Sequence, residues 1–369
     1  MNKARKTAVN NLIIYALVIV AYVICQIMID NKMMTRSLRG QLVPICVYIV
    51  MAVSLNLTVG ISGELSLGHA GFMSVGAFTG IVASTWMVSA FQMDNEILRL
   101  IISMIAGGVL AAVAGVLIGI PVLRLRGDYL AIVTLAFGEI IRNVFNCLYF
   151  AVDGRRLYIS FNNPMLPGDV FVKGPAGATG VDKISTFPMG VILILFTLLV
   201  VLNLINSRSG RAIMAIRDSR IAAESVGLNI TKYKMMAFVT SAALAGMAGA
   251  LYGLNYSTVT ASQFKFDTSI LVLVFVVLGG IGNIGGSVVA AALLTILPEL
   301  LRAFSDYRML VYAIVLIVVM LATNSPLLKN IWTGLMRISP LARLVDAAYQ
   351  LLQDYLPFKK KTGKEGDAA

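Results

Sequence analysis

Charge is scarce in this chain. Only 13% of its 369 residues are Asp, Glu, Lys or Arg, against roughly 25% in a soluble globular domain, which excludes a water-soluble globule. Histidine is all but missing: His69 is the only one, so a histidine-built metal centre is excluded. The three cysteines, Cys25, Cys46 and Cys147, lie in apolar segments at unrelated spacings. They form neither a disulfide framework nor a zinc pattern and read as small buried hydrophobes. There is no HExxH, no GxSxG and no Lys-Ser/Thr closing a glycine loop. Hydrolytic chemistry, nucleotide binding by this chain and a resident metal therefore have no residues to rest on.

What the chain has instead is hydrophobicity: 58% of residues are apolar and the mean hydropathy is +0.85. A run of ~20 apolar residues spans a bilayer. Ten runs occur, at 12–28, 42–59, 65–90, 98–120, 129–150, 188–205, 235–254, 268–281, 285–301 and 309–327. The reading is an all-α, polytopic membrane protein of about ten hydrophobic segments. The run 268–281 is short for a crossing and is expected to be re-entrant, which bilayers tolerate only where the backbone is buried in protein or lines a cavity. Run 12–28 follows Lys3, Arg5 and Lys6 but has no small-x-small cleavage site, so it reads as a retained first span. The organisation expected is an N-terminal span and connector (1–40), a transmembrane domain (41–328) and a charged tail (329–369).

The net charge of +12 speaks to topology and anionic lipid rather than nucleic acid. With the N-terminus inside, 18 Lys and Arg fall on the cytoplasmic side and 11 outside. That favours both termini in the cytoplasm. The segment 151–187, rich in Gly, Pro and Asn, is then the longest external stretch and a landing surface for an external partner.

Within the spans, glycines punctuate two stretches. In 60–80, GISGELSLGHAGFMSVGAFTG, residues Gly60, Gly63, Ser66 and Gly68 break an apolar run that also holds Glu64 and His69. Gly76 and Gly80 form a GxxxG pair suited to close helix packing. Ionisable groups at membrane depth are functional candidates by default, although a hydrogen-bonded structural role suits a lone histidine better. In 277–291, VVLGGIGNIGGSVVA, Gly279, Gly280, Gly282, Asn283 and Gly285 make a second break. Its GxGxxG spacing has no soluble βαβ unit around it, so it is not a dinucleotide site. Two broken segments in corresponding halves point to a substrate pathway between weak internal repeats. Glu139 and Arg142, one turn apart, read as a structural ion pair.

The basic stretch 206–234 separates two apolar runs. Asp218 and Ser219 can cap a helix start, and Gly227 can stop it in the left-handed conformation. The two-turn helix between them presents Ile221, Ala222, Ser225 and Val226 as a small apolar ridge. Helices this short are marginal alone, so a partner must hold it.

Four stretches, GISGELSLGHAGF, RLRGDYLAIVTLAFGEIIRNV, GRAIMAIRDSRIAAESVGLN and VLGGIGNIGGSVVAA, are similar to the permease subunits of bacterial branched-chain amino acid ABC importers. The type is LivM/LivH, nearer LivM, and the likeness covers about residues 40–325. The resemblance implies a subunit of the bacterial inner membrane that works with a second related permease, two cytoplasmic ATPases and an external binding protein. ATP and Mg²⁺ would sit on the ATPase and no cofactor on this chain. The family's coupling loop maps onto Asp218, Ile221, Ala222, Ala223, Glu224 and Gly227, with Ile221 in place of the usual acid and Glu224 as a substitute charge. TNSPLLKN, after the last span, departs from the family's Arg-Pro-x-Gly-Leu. The alternatives are a urea or amide permease of the same family and an ion-coupled secondary transporter using Glu64 and Glu139. A non-transporting membrane scaffold fits the density of helix-breaking glycine least.

Overall fold

The computed structural model describes residues 3–125, 127–162, 165–301, 307 and 310–317. The chain divides into two units, Met1–Arg308 and Met309–Ala369. In the second, 310–317 are helical; the tail 329–369 and TNSPLLKN lie outside the described residues.

Among the described residues, seven helices of the first unit are long and apolar enough to cross a membrane. They are α1 (Lys3–Asp30), α2 (Arg36–Asn56), α3 (His69–Phe91), α4 (Glu96–Val122), α5 (Asp128–Cys147), α6 (Phe187–Asn206) and α9 (Ile230–Gly253). Between α6 and α9 lie two shorter helices, α7 (Arg208–Asp218) and α8 (Arg220–Ser225). Two apolar helices, α10 (Phe266–Gly279) and α11 (Ile284–Leu300), have 14 and 17 residues. At 1.5 Å per residue they reach about 21 and 26 Å, short of a ~30 Å hydrocarbon core. The ten apolar runs are therefore not ten full crossings.

Helix α2 is the centre. Its apolar residues cover every side, and a helix hydrophobic all round is buried: 94% of its most apolar window is enclosed. It packs against α6, α9, α10 and α11. Beside it, α3, α4 and α9 pack on one another at a separation that side chains would prevent. A Cβ on Gly76 would stand 2.5 Å from the Gly246 Cα, and one on Gly80 would stand 2.7 Å from the Ala250 Cβ. The GxxxG pair thus lets α3 and α9 touch by backbone.

Two helices begin deep. A Cβ on Gly71 would lie 3.0 Å from the Gly138 Cα, and Gly138 is halfway along α5. The Ser269 hydroxyl accepts the Ala70 N–H at 3.0 Å. So α3 and α10 both start level with the middle of α5. From there α10 runs on to the end of the molecule that carries α7 and α8. The run 268–281 is thus a short apolar helix that begins beside the middle of α5.

At the opposite end, the Gly- and Pro-rich segment is not an irregular connector. It folds into an antiparallel sheet in the order β2-β1-β3-β4-β5, from β1 (Leu148–Asp153), β2 (Arg156–Phe161), β3 (Asp169–Lys173), β4 (Ala178–Thr179) and β5 (Thr258–Val259). Gly154, at φ +57°, makes the two-residue β1–β2 turn possible. Trp86 Nε1 and Ser89 Oγ of α3 donate to the Arg155 and Gly154 carbonyls at 3.1 and 2.8 Å, pinning that turn to the helix end. Arg99, buried at the start of α4, reaches Asp182 at 3.3 Å. Of the three cysteines only Cys46 is buried; Cys25 is half-buried and Cys147 exposed at the end of α5.

Candidate functional site

The two glycine breaks meet. After Asn56 the chain makes a π-helical turn, Leu57–Ile61, and Gly63 turns left-handed at φ +75°. The second break turns at Gly280 and Gly282, with φ +94° and +84°. Gly60 and Gly282 lie against each other: a Cβ on Gly60 would stand 2.7 Å from the Gly282 Cα. Fully buried Asn56 ties the two together. Its Oδ1 accepts the Gly282 N–H at 2.8 Å, and its Nδ2 donates to the Asn283 carbonyl at 3.1 Å and to Ser287 Oγ at 2.8 Å. Asn283 caps α11 by accepting the Gly286 N–H at 3.1 Å. Gly279 packs on Gly286 backbone, and Gly285 faces Ile14 of α1.

The remaining residues of the first break take different surroundings. Glu64 forms an ion pair with Lys234 of α9, both side chains 12% exposed. Ser66 is buried and its hydroxyl has no partner among the described residues. Gly68 packs on the Thr134 carbonyl of α5. His69 is buried, its Nε2 2.8 Å from Ser54 Oγ, whose carbonyl accepts from Ser241 Oγ of α9 at 2.5 Å. The histidine thus sits inside a hydrogen-bonded α2–α3–α9 contact.

At the α7–α8 end the capping differs from expectation. Ser219 alone caps α8, accepting the Ala222 N–H at 3.4 Å. Asp218 ends α7 and pairs with Arg217 at 3.0 Å, because the chain is already helical through 218. Gly227, at φ +82°, closes α8 in a Schellman arrangement: its N–H donates to the Glu224 carbonyl at 3.0 Å, and the Leu228 N–H donates to the Ala223 carbonyl at 3.1 Å. Ala223 points inward and packs with Ile216 and Ile230. Ala222, Glu224 and Ser225 are exposed, and Ile221 and Val226 are 84% and 79% exposed. The ridge is real and unpartnered among the described residues.

A cavity of about 270 Å³ joins the two regions, lined by Ser62, Gly63, Glu64, Arg217, Arg220 and Lys234 among others. Across it, Arg217 Nη1 donates to the Gly60 carbonyl at 2.8 Å. Elsewhere, Arg142 Nη2 and Glu139 Oε2 pair at 2.6 Å on a face of α5 that is only partly covered.

Sequence reasoning singled out neither Asn56, Arg217 nor Lys234. Asn56 carried a signal, a polar side chain inside an apolar run. The other two were submerged in a generally basic loop.

Broken helices hydrogen-bonded to each other at one end of a bundle of apolar helices, beside a short exposed helix, are features of a membrane transport subunit. The comparison with known proteins is specific: the family model "Branched-chain amino acid transport system / permease component" matches residues 38–320, and the chain belongs to that family. Over 290 residues it is 36% identical to the high-affinity branched-chain amino acid transport system permease protein LivM of Escherichia coli K12, covering 74% of this chain and 66% of that protein. It thus spans just under two thirds of the relative's length. BraD of Pseudomonas aeruginosa, of the same printed description, is 26% identical over 67% of this chain and 79% of its own. The fructose import permease protein FruG of Bifidobacterium longum is 26% identical over 69% and 72%. No solved structure matches.

Proposed function

We propose that this chain is the membrane-spanning permease subunit of an ATP-driven importer of branched-chain or related hydrophobic amino acids. The observation that carries the reading is α8, a capped helix with Ile221 and Val226 exposed, set beside the meeting point of the two glycine breaks. A helix built to be held by a partner, next to a closure of the membrane path, is what an external motor needs. The motor is a pair of cytoplasmic ATPases that bind ATP and Mg²⁺. A second related permease completes the membrane core, and a binding protein delivers substrate at the sheet end. The α7–α8 end and both termini are cytoplasmic in the inner membrane, in line with the excess of Lys and Arg there. Selection of the substrate falls to the binding protein.

The test is uptake into proteoliposomes holding the complete complex, with labelled leucine, urea and fructose compared. ATP-dependent leucine uptake is expected. Uptake of fructose or urea alone would overturn the substrate, and gradient-driven uptake by this chain without an ATPase would overturn the mechanism.

A further inference from the structure

Helix α8 is only six residues long, and a basic residue lies beyond each of its ends: Arg217 three residues before Arg220, and Lys234 nine residues after Ser225. Both reach one stretch of the first break. Arg217 Nη1 holds the Gly60 carbonyl at 2.8 Å, and Lys234 holds the Glu64 carboxylate. Between those anchor points Gly63 makes room for the arginine: a Cβ there would stand 2.6 Å from the Arg217 Cγ. Behind the stretch, Gly60 rests on Gly282, and Asn56 fastens the second break to the first.

Any displacement of α8 therefore arrives at 60–64 through two charge-assisted contacts, which are the stronger kind of hydrogen bond. The stretch is joined to the 280–283 turn by the Gly60–Gly282 contact and by the Asn56 hydrogen bonds to Gly282 and Asn283. We infer that Arg217 and Lys234 form a two-point clamp through which α8 moves both glycine breaks and so opens and closes the path at this end. The inference rests on the reading of α8 as the ATPase seat. Both residues are positioning residues: neither needs to touch substrate.

The experiment measures uptake and ATP hydrolysis in the same proteoliposomes of the complete complex, for wild type, R217Q, R217K, K234M and the exchange E64K/K234E. Thermal unfolding of each complex is followed alongside. Substrate moved per ATP should fall about tenfold or more in R217Q and K234M, within the ~5–150-fold range of typical coupling energies. R217K, which keeps the charge and a donor, should fall between R217Q and wild type. The exchange should recover at least about half of the K234M loss, since a reversed pair still links the same two points. A transport-to-ATP ratio in R217Q and K234M within twofold of wild type overturns the clamp. So does an exchange variant with wild-type unfolding and no recovery. A wild-type complex without ATP-driven uptake overturns the transport reading itself, and the clamp with it.

Discussion

At the scale of single residues, Asn56 is the clearest case of a side chain whose job is set by what it joins. It is fully buried and accepts the Gly282 N–H, which has no other hydrogen-bond partner among the described residues. A buried donor left unpaired costs about 1–3 kcal/mol. Asn56→Ala should destabilise the chain by roughly that amount, read as a lowered midpoint of unfolding in detergent. Ser287→Ala should cost less, about 0.5–1.5 kcal/mol, because Asn56 Nδ2 keeps the Asn283 carbonyl. Equal midpoints for the two variants would show that the bridge is not what holds the breaks together. The residue was visible in the sequence as an amide within an apolar run. Its partners were not, since they lie 226, 227 and 231 residues away, and no local pattern encodes that pairing.

At the scale of elements, α8 separates what a helix does for its own protein from what it offers another. Ala223 is 4% exposed among Ile216 and Ile230, whereas Ile221 on the same short helix faces out. Ala223→Asp places a carboxylate in that apolar contact without a partner, a change that costs about 3–5 kcal/mol when a buried charge is left uncompensated. It should lower the unfolding midpoint markedly. Ile221→Asp should leave the midpoint within about 0.5 kcal/mol of wild type, as surface substitutions do, and abolish co-purification of the ATPase. If Ile221→Asp still retains the ATPase, the exposed ridge is not its seat. The stop at Gly227 and the ridge were legible because a left-handed glycine and an i, i+4 spacing are local signals. Helix α7 was overlooked although Ser207 caps it at 3.1 Å and Ile213 and Ile216, three apart, are buried. Its Arg208, Arg211 and Arg217 made the stretch read as a charged connector.

At the scale of the whole molecule, two long helices stand largely uncovered, and their surfaces differ. Only 6% of the α1 window and 17% of the α5 window are buried. The exposed residues of α1 include Leu17, Val20, Ile24 and Ile27, a surface that lipid satisfies. Helix α5 shows Ile132 and Ile140 too, but it also carries exposed Asn143 beside the half-buried Glu139–Arg142 pair. Polar and ionisable groups within a span face protein or a water-filled cavity rather than hydrocarbon. The sequence places that pair one turn apart; it could not reveal that the fold leaves the surrounding face open, because that depends on which helices pack elsewhere. We expect a second permease to cover this face. The prediction can be checked with single cysteines introduced after Cys25, Cys46 and Cys147 have been replaced by serine or alanine. In membranes holding this chain without its partner subunit, Asn143→Cys should react with a membrane-impermeant maleimide, and Ile24→Cys should not. In the complete complex the reaction at 143 should slow, as the second permease covers the face. Equal inertness at both positions would mean that α5, like α1, simply faces lipid.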